Sequence, residues 1–308
     1  VAPVTVIVIS YNTCDELRHC LESIERSFPV IVVDNASRDG SPEMVERDFP
    51  RVRLLRNRRN VGFGTAANQG IAMADTELVL ILNADVRATP GAIEELVKVF
   101  EDPEVVAAGP LLLNSDGSVQ NSCASRLTLW ALFCEQTYLE KLAPNSPWLS
   151  PYWQTARLAH RSEPQPVAQV MGACLMMRKV ERFDERFFLY CEDTELCRRL
   201  EKRGRILYVP NARFQHTLGS STENMRWWAV AMYNRGKELY FFLHEGPISG
   251  TIAFLLDRFG ALLRLLAWSV IALISLFAKT SARRQIVVFA KVLTAPIRGP
   301  RLPPDTRE

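Results

Sequence analysis

The sequence predicts an α/β fold built on a mixed, mainly parallel central sheet, and three stretches predict it. Residues 4–9, 30–33 and 78–82 are apolar runs of strand length, and each ends in a polar loop that leads into a helix start. Runs without polar alternation read as strands buried on both faces. In such a sheet ligands bind beyond the carboxyl ends of the strands, where loops and helix starts line a crevice. Residues 78–82 deliver a solitary carboxylate, Asp85, to that edge, ahead of Thr89-Pro90, a suitable helix cap and first-turn pair. Asp85 is therefore either a ligand-site acid or the cap of its own turn.

The first strand, 4–9, is followed by Ser10-Tyr11-Asn12 and then by Thr13 and Glu16, which have capping-box spacing for a helix whose apolar face is Leu17, Leu21 and Ile24. It enters without a basic leader or cleavage site, so it reads as a strand and not as a signal peptide. Strand 30–33 ends in Asp34-Asn35, and Pro42 opens the next helix. Asp34 either caps its turn or accepts from a base or ribose hydroxyl. Neither a Gly-rich dinucleotide fingerprint nor a phosphate loop follows. A third short strand covers 52–55. After it, Asn60-Val61-Gly62-Phe63-Gly64 and the small residues through Asn68 and Gly70 permit close backbone approach to a ligand.

Beyond 78–86 the pattern predicts a helix from Pro90 to about Phe100 and a short edge or return strand at 105–108. Residues 122–169 lose the alternation and hold Trp130, Phe133, Tyr138, Trp148, Tyr152 and Trp153, with one helix near 127–142. These aromatics are either packing or the walls of an acceptor site. A strand at 170–177 carries a Gly172-Ala173 break that brings backbone close to something. A helix from Glu192 to about Arg203 places Glu192 and Asp193 at its positive end, where they are either acid/base groups or ordinary first-turn acids. Strand 206–209 is followed by Pro210 and a loop carrying His216, one of only four histidines; this position favours ligand or metal contact.

Charge and cysteines narrow the classes. The 308-residue chain carries a net charge of +3 and seven cysteines without a C-x-x-C pair, which argues against a disulfide framework or structural zinc and for a reducing compartment. Every residue from 258 to 304 is neutral or basic. Those basic residues are diluted by aliphatic runs, which excludes nucleic acid as a partner. The stretch 252–278 is too interrupted for a confident span; it fits a membrane-surface helix or re-entrant hairpin with Arg264 snorkelling and Lys279, Arg283, Arg284 and Lys291 toward headgroups, or else a dimer interface.

Taken in order, residues 6–12, 33–41, 60–64 with Asn68 and Gly70, 82–86, Phe183-Asp184-Glu185 through Glu192-Asp193, and His216 with Gly219 and Ser221 resemble the family-2 glycosyltransferases of the GT-A fold, in particular the rhamnosyltransferase-like branch of mycobacterial type. The resemblance runs from about Val4 to Ser221. It implies a Rossmann-like GT-A catalytic domain over 1–221, with a nucleotide half at 1–110 and an acceptor half at 111–221, and a membrane-associating helical region at 222–308. It implies inverting, metal-dependent transfer of L-rhamnose from dTDP-β-L-rhamnose to a lipid-linked acceptor such as N-acetylglucosaminyl-diphospho-polyprenol, at the cytoplasmic face of the plasma membrane. Carried over, Asp193 is the catalytic base with Glu192 beside it, and Asp85 and His216 hold Mg²⁺ or Mn²⁺. Ser10, Asn12, Asp34, Asn35, Asn60, Gly62, Asn68, Asn83 and Ala84 line the nucleotide site. Asn83 stands where many relatives have the first Asp of Asp-x-Asp. That departure keeps open a non-catalytic nucleotide-sugar-binding protein, and within the enzymes a UDP-hexose or UDP-N-acetylhexosamine donor.

Overall fold

The structure is a computed structural model and describes residues 4–144, 146–217, 226–276 and 278–296. Its elements in chain order are β1 (Val4–Ser10), α1 (Cys14–Ser23), β2 (Val30–Asp34), α2 (Ser41–Asp48), β3 (Arg53–Arg56), α3 (Phe63–Met73), β4 (Leu78–Asn83), β5 (Val86–Ala88), α4 (Ala92–Lys98), β6 (Val105–Leu113), β7 (Val119–Gln120), β8 (Cys123–Ala124), α5 (Leu129–Gln136), α6 (Leu139–Leu142), α7 (Thr155–Leu158), β9 (Gln165–Pro166), β10 (Gln169–Val170), β11 (Cys174–Arg178), α8 (Glu192–Leu200), β12 (Arg205–His216), α9 (Arg226–Ile274) and α10 (Thr280–Leu293).

The main sheet runs β3-β2-β1-β4-β11-β6-β12-β5. Strands β3, β2, β1 and β4 are mutually parallel, β11 is antiparallel to both its neighbours, and β12 is parallel to β6. Alternation along β4 explains its unbroken apolar run. Leu78, Leu80 and Leu82 join one core layer with Leu17, Ile93 and Leu96, and Val79 and Ile81 join the other with Ile71, Leu196 and Leu200. Each such fully buried side chain contributes roughly 1.5–3 kcal/mol of hydrophobic stabilisation.

Four local expectations are corrected. The capping box does not form: Thr13 Oγ1 is instead paired with Ser10 Oγ at 3.2 Å, and the Cys14 amide at the helix start donates to Asp39 Oδ2 at 2.8 Å. Thr89 does not cap α4. Residues 86–88 are drawn into strand β5, Thr89 Oγ1 donates to the Arg213 carbonyl, and the helix starts two residues past Pro90, behind Gly91. Strand β6 is interior and not an edge; its small Ala107-Ala108-Gly109 stretch hid its burial, and a Cβ on Gly109 would meet Val170 at 2.5 Å. Strand β12 passes through Pro210, tolerated because the register with β6 shifts between Val209 and Arg213, so His216 ends a strand and does not lie in a loop.

The chain forms two compact units, Val1–Arg126 with Tyr152–Ser221, and Leu127–Pro151 with Thr222–Glu308. The segment 127–151, expected in the acceptor half of the catalytic domain, thus groups with the C-terminal helices. Polar anchors inside the second unit account for this. Buried Lys237 lies 3.1 Å from Asp257 and 3.2 Å from Glu135, Gln136 donates to Asp257 at 2.7 Å, and Arg264 donates to the Gln136 carbonyl at 3.1 Å while lying over the Tyr138 ring. Arg264 is therefore an internal anchor and does not snorkel. Helix α9 breaks at Gly246 (φ 88°), and its two arms fold back so that Lys237 and Asp257 meet. Among the described residues no helix is long and apolar enough to cross a membrane.

Candidate active site

At the carboxyl ends of β1 and β2 the loops lock each other. Asn12, at φ 52°, donates through its amide N–H to Ser37 Oγ and accepts from the Arg38 N–H, both at 2.8 Å. Asn35 is buried and spends its whole amide on the 57–62 loop, donating to Asn60 and the Gly62 carbonyl and accepting from Asn57 and Val61. Gly62, at φ 88°, has no room for a side chain, since a Cβ would lie 2.6 Å from the Phe188 carbonyl oxygen. Asn12, Asn35, Asn60 and Gly62 thus fasten the crevice wall. Ser10 is fully buried against Thr13, and the Asn68 side-chain amide closes on both backbone groups of Phe183. Asp34 differs. Its Oδ1 accepts from the Ser37 N–H at 3.0 Å, its Oδ2 is buried with no partner among the described residues, and burial raises its carboxyl above the usual range. A buried acceptor left open calls for a donor from a ligand.

The end of β4 is the second part. The Asn83 N–H donates to the Ala173 carbonyl at 3.0 Å, and Ala84 is buried. No hydrogen bond is formed by the Asn83 side chain among the described residues. The antiparallel pairing of β5 with β12 brings Asp85 Oδ1 to 3.3 Å from His216 Nε2. Gln120, which the sequence did not single out for the site, fixes the ring. Its Nε2 donates to the His216 carbonyl, so its Oε1 is the atom 2.7 Å from His216 Nδ1. Nδ1 thus carries a proton, and Nε2 is the nitrogen that faces the carboxylate. An imidazole nitrogen and a carboxylate oxygen converging at 3.3 Å suit a cation between them, and an outer hydrogen bond that fixes the ring is the kind of support a metal-binding histidine uses. Among the described residues no group of three or more His, Cys, Asp or Glu side chains gathers. Gly219 and Ser221 lie outside the described residues.

The third part is the start of α8, entered through Tyr190 and Cys191, both at positive φ (68° and 65°), a strained pair of the kind found at functional sites. Asp193 Oδ2 accepts from the Gly172 N–H at 2.8 Å, and Oδ1 accepts from the Thr194 N–H at 2.7 Å. The Gly172-Ala173 break thus serves both parts of the site, because the Ala173 carbonyl holds the Asn83 N–H and the Gly172 N–H holds Asp193. Behind them a buried chain points its protons inward: Tyr152 donates to Gln169 at 2.8 Å, Gln169 to Thr194 Oγ1 at 2.9 Å, and that hydroxyl lies 3.3 Å from Asp193 Oδ1. Tyr152, Gln169 and Thr194 were not marked as site residues. Only the aromatic at 152 had been noted, and no local spacing links it to residue 193.

Burial raises the Asp193 carboxyl, and the N–H donors oppose that rise. Burial, then the Asp193 charge, pushes Glu192 up to about 8, and its Oε2 has no partner among the described residues. Burial thus favours the neutral form of Glu192. A folded-state pKa above the unfolded one favours the folded protein below the unfolded pKa, and that advantage is lost as pH rises toward about 8. Glu192→Gln should therefore remove a slope of about 1.4 kcal/mol per pH unit between pH 5 and 8, read from denaturant midpoints; identical slopes in both proteins would contradict a neutral Glu192.

The Glycosyl transferase family 2 profile matches residues 5–179, which include Asp34 and Asp85 and stop short of Asp193 and His216. The N-acetylglucosaminyl-diphospho-decaprenol L-rhamnosyltransferase of Mycobacterium tuberculosis (strain ATCC 25618 / H37Rv) is 34% identical over 241 residues, covering 70% of this chain and 76% of the relative. The low-salt glycan biosynthesis hexosyltransferase Agl10 of Haloferax volcanii is 23% identical over 208 residues, covering 64% and 61%. Among solved structures, the mannosyltransferase PcManGT from Pyrobaculum calidifontis, in complex with GDP-Man and Mn²⁺, is similar with a TM-score of 0.56 at 16% identity over 95% of this chain and 85% of that one. GalNAc-T7 with UDP, GalNAc and Mn²⁺ gives 0.52 at 17% over 77% of this chain, which spans 48% of that structure's length. At these identities the two structures establish a shared fold.

Proposed function

Because the chain belongs to glycosyltransferase family 2 and is an inverting sugar transferase of the GT-A fold, we propose that it moves L-rhamnose from dTDP-β-L-rhamnose to N-acetylglucosaminyl-diphospho-polyprenol. The observation that carries the sugar and acceptor is the 34% identity over 241 residues to an N-acetylglucosaminyl-diphospho-decaprenol L-rhamnosyltransferase. The site chemistry supports the reading. The open Oδ2 of Asp34 suits the N3–H of thymine, and Asp85 with His216 suits Mg²⁺ or Mn²⁺ on the diphosphate. Such an ion supplies positive charge against the negative charge that develops on the leaving diphosphate.

Asp193 takes the proton from the acceptor hydroxyl while that oxygen forms its bond to the anomeric carbon and the carbon's bond to the dTDP oxygen breaks. One displacement inverts the carbon. Hydrogen bonds from Gly172 and Thr194 hold the carboxylate in place and keep it ionised, and neutral Glu192 spares it a second neighbouring charge. Asn83, Ala84 and Gly62 bound the nucleotide side. A lipid-linked acceptor places the enzyme at the cytoplasmic face of the plasma membrane as a peripheral protein.

The test is a donor panel of dTDP-rhamnose, UDP-glucose, UDP-N-acetylglucosamine and GDP-mannose, assayed with Mg²⁺ or Mn²⁺ on a short-chain N-acetylglucosaminyl-diphospho-lipid. Transfer from dTDP-rhamnose is expected to exceed the others by at least about 100-fold, the discrimination available to a few pocket contacts. An inert dTDP-rhamnose beside an active UDP- or GDP-sugar would overturn the donor assignment.

A further inference from the structure

The second arm of α9 presents an apolar face that nothing among the described residues covers. Ile252, Leu255, Phe259, Leu262, Leu266 and Val270 are all exposed, and their spacing of three and four residues makes one continuous helical stripe. Ile248 and Leu273, 77% and 65% exposed, extend it at its two ends. At 1.5 Å per residue the stripe is about 38 Å long. Contiguous apolar surface on this scale marks an interaction site.

Charge selects the partner. Past the stripe, Lys279, Arg283 and Arg284 are exposed, Lys291 lies back beside Trp227, and residues 258–304 hold no acid. Asp257 is buried against Lys237, which leaves Glu245 as the exposed acid at the far end, beyond Gly246. Arg258 and Arg264 belong to the interior, Arg258 donating to the Leu293 and Ala295 carbonyls and Arg264 to that of Gln136. They do not dilute the stripe, and with Asp257 they prevent this arm from being apolar on all sides. A one-faced apolar helix with basic residues at its end lies on a bilayer and does not cross it.

We propose that this stripe is a membrane-docking surface, its helix axis parallel to the bilayer and the basic end of α9 and α10 seated on anionic lipid headgroups. A second copy packed with its stripe parallel would bring three like charges toward its own three. The anionic surface neutralises them. The inference concerns where the enzyme sits and is independent of the donor assignment.

Flotation of the full chain with vesicles containing about 30% phosphatidylglycerol in phosphatidylcholine tests it, with pure phosphatidylcholine vesicles as comparison. The wild type should float with the anionic vesicles at least about tenfold more strongly than with neutral ones, and less in high salt. Leu262→Glu with Leu266→Glu should cut flotation at least about tenfold, with an unchanged circular dichroism spectrum and unchanged transfer to a short soluble acceptor. Arg283→Gln with Arg284→Gln should abolish the anionic preference and retain the neutral baseline. The proposal is overturned if the wild type does not float or if the Leu262/Leu266 variant floats like it. It is also overturned if sedimentation shows a dimer that this variant splits without vesicle binding above background; the stripe is then a self-interface.

Discussion

Asp193→Asn is expected to lower the kcat of sugar transfer by about 10²–10⁴-fold, the range for a lost general base, with the Kd for the nucleotide sugar unchanged within about twofold. Both oxygens of Asp193 already accept backbone N–H bonds, from Gly172 and Thr194. An amide keeps the size and one acceptor but turns an NH₂ group toward one of those N–H donors. A stability loss of about 1–2 kcal/mol should accompany the lost activity. Single-turnover kinetics then separate the two effects: the chemical step slows, while nucleotide-sugar binding at the β1, β2 and β4 ends does not change. If transfer stayed within tenfold of wild type while the protein folded normally, Asp193 would not be the base. If binding and chemistry fell together with the melting temperature, the role would be structural.

The buried chain from Tyr152 through Gln169 and Thr194 explains why only part of this site was legible in the sequence. Strands β1, β2 and β4 announce themselves by unbroken apolar runs, so the parallel half of the sheet and the acids at its edge follow directly. Side-chain partnerships do not follow in the same way. Asn35 and Asn68 stand beside the crevice in sequence, as nucleotide ligands would, yet a buried amide is satisfied by whatever backbone the fold brings near, here the 57–62 loop and Phe183. Gln120 and Gln169 fail for the converse reason. They sit in two-residue strands, 96 residues from His216 and 25 from Thr194, and only tertiary pairing makes them partners. The interior position of strand β6 escaped because Ala and Gly at a close strand contact carry little hydrophobic signal. The site's acids were legible because strand ends and helix starts have local signatures, and their supports were not because a hydrogen bond across the fold has none.

Asp85→Ala should lower transfer by at least about 10³-fold, equivalent to about 4 kcal/mol of transition-state stabilisation and in keeping with the several kcal/mol a divalent ion supplies. The argument rests on the geometry around His216. Its Nδ1–H is committed to Gln120, so Nε2 is the nitrogen that faces Asp85, and removing the carboxylate leaves one ligand where two converged. Excess Mn²⁺ should therefore not restore activity. Titration of Mn²⁺ against protein with dTDP present, followed by electron paramagnetic resonance, should show binding to the wild type and none to Asp85→Ala over the same range. Gln120→Leu provides the graded case. Gln120 is not itself a ligand but holds His216, so the substitution frees the ring's tautomer and orientation, and a loss of about 10–100-fold in Mn²⁺ affinity is the scale for such a support. An intact Mn²⁺ titration in Asp85→Ala would break the metal assignment, as would full activity of wild-type enzyme in EDTA. Asp85 would then stand as an acid paired with a protonated His216, a link between the turn after β4 and the end of β12.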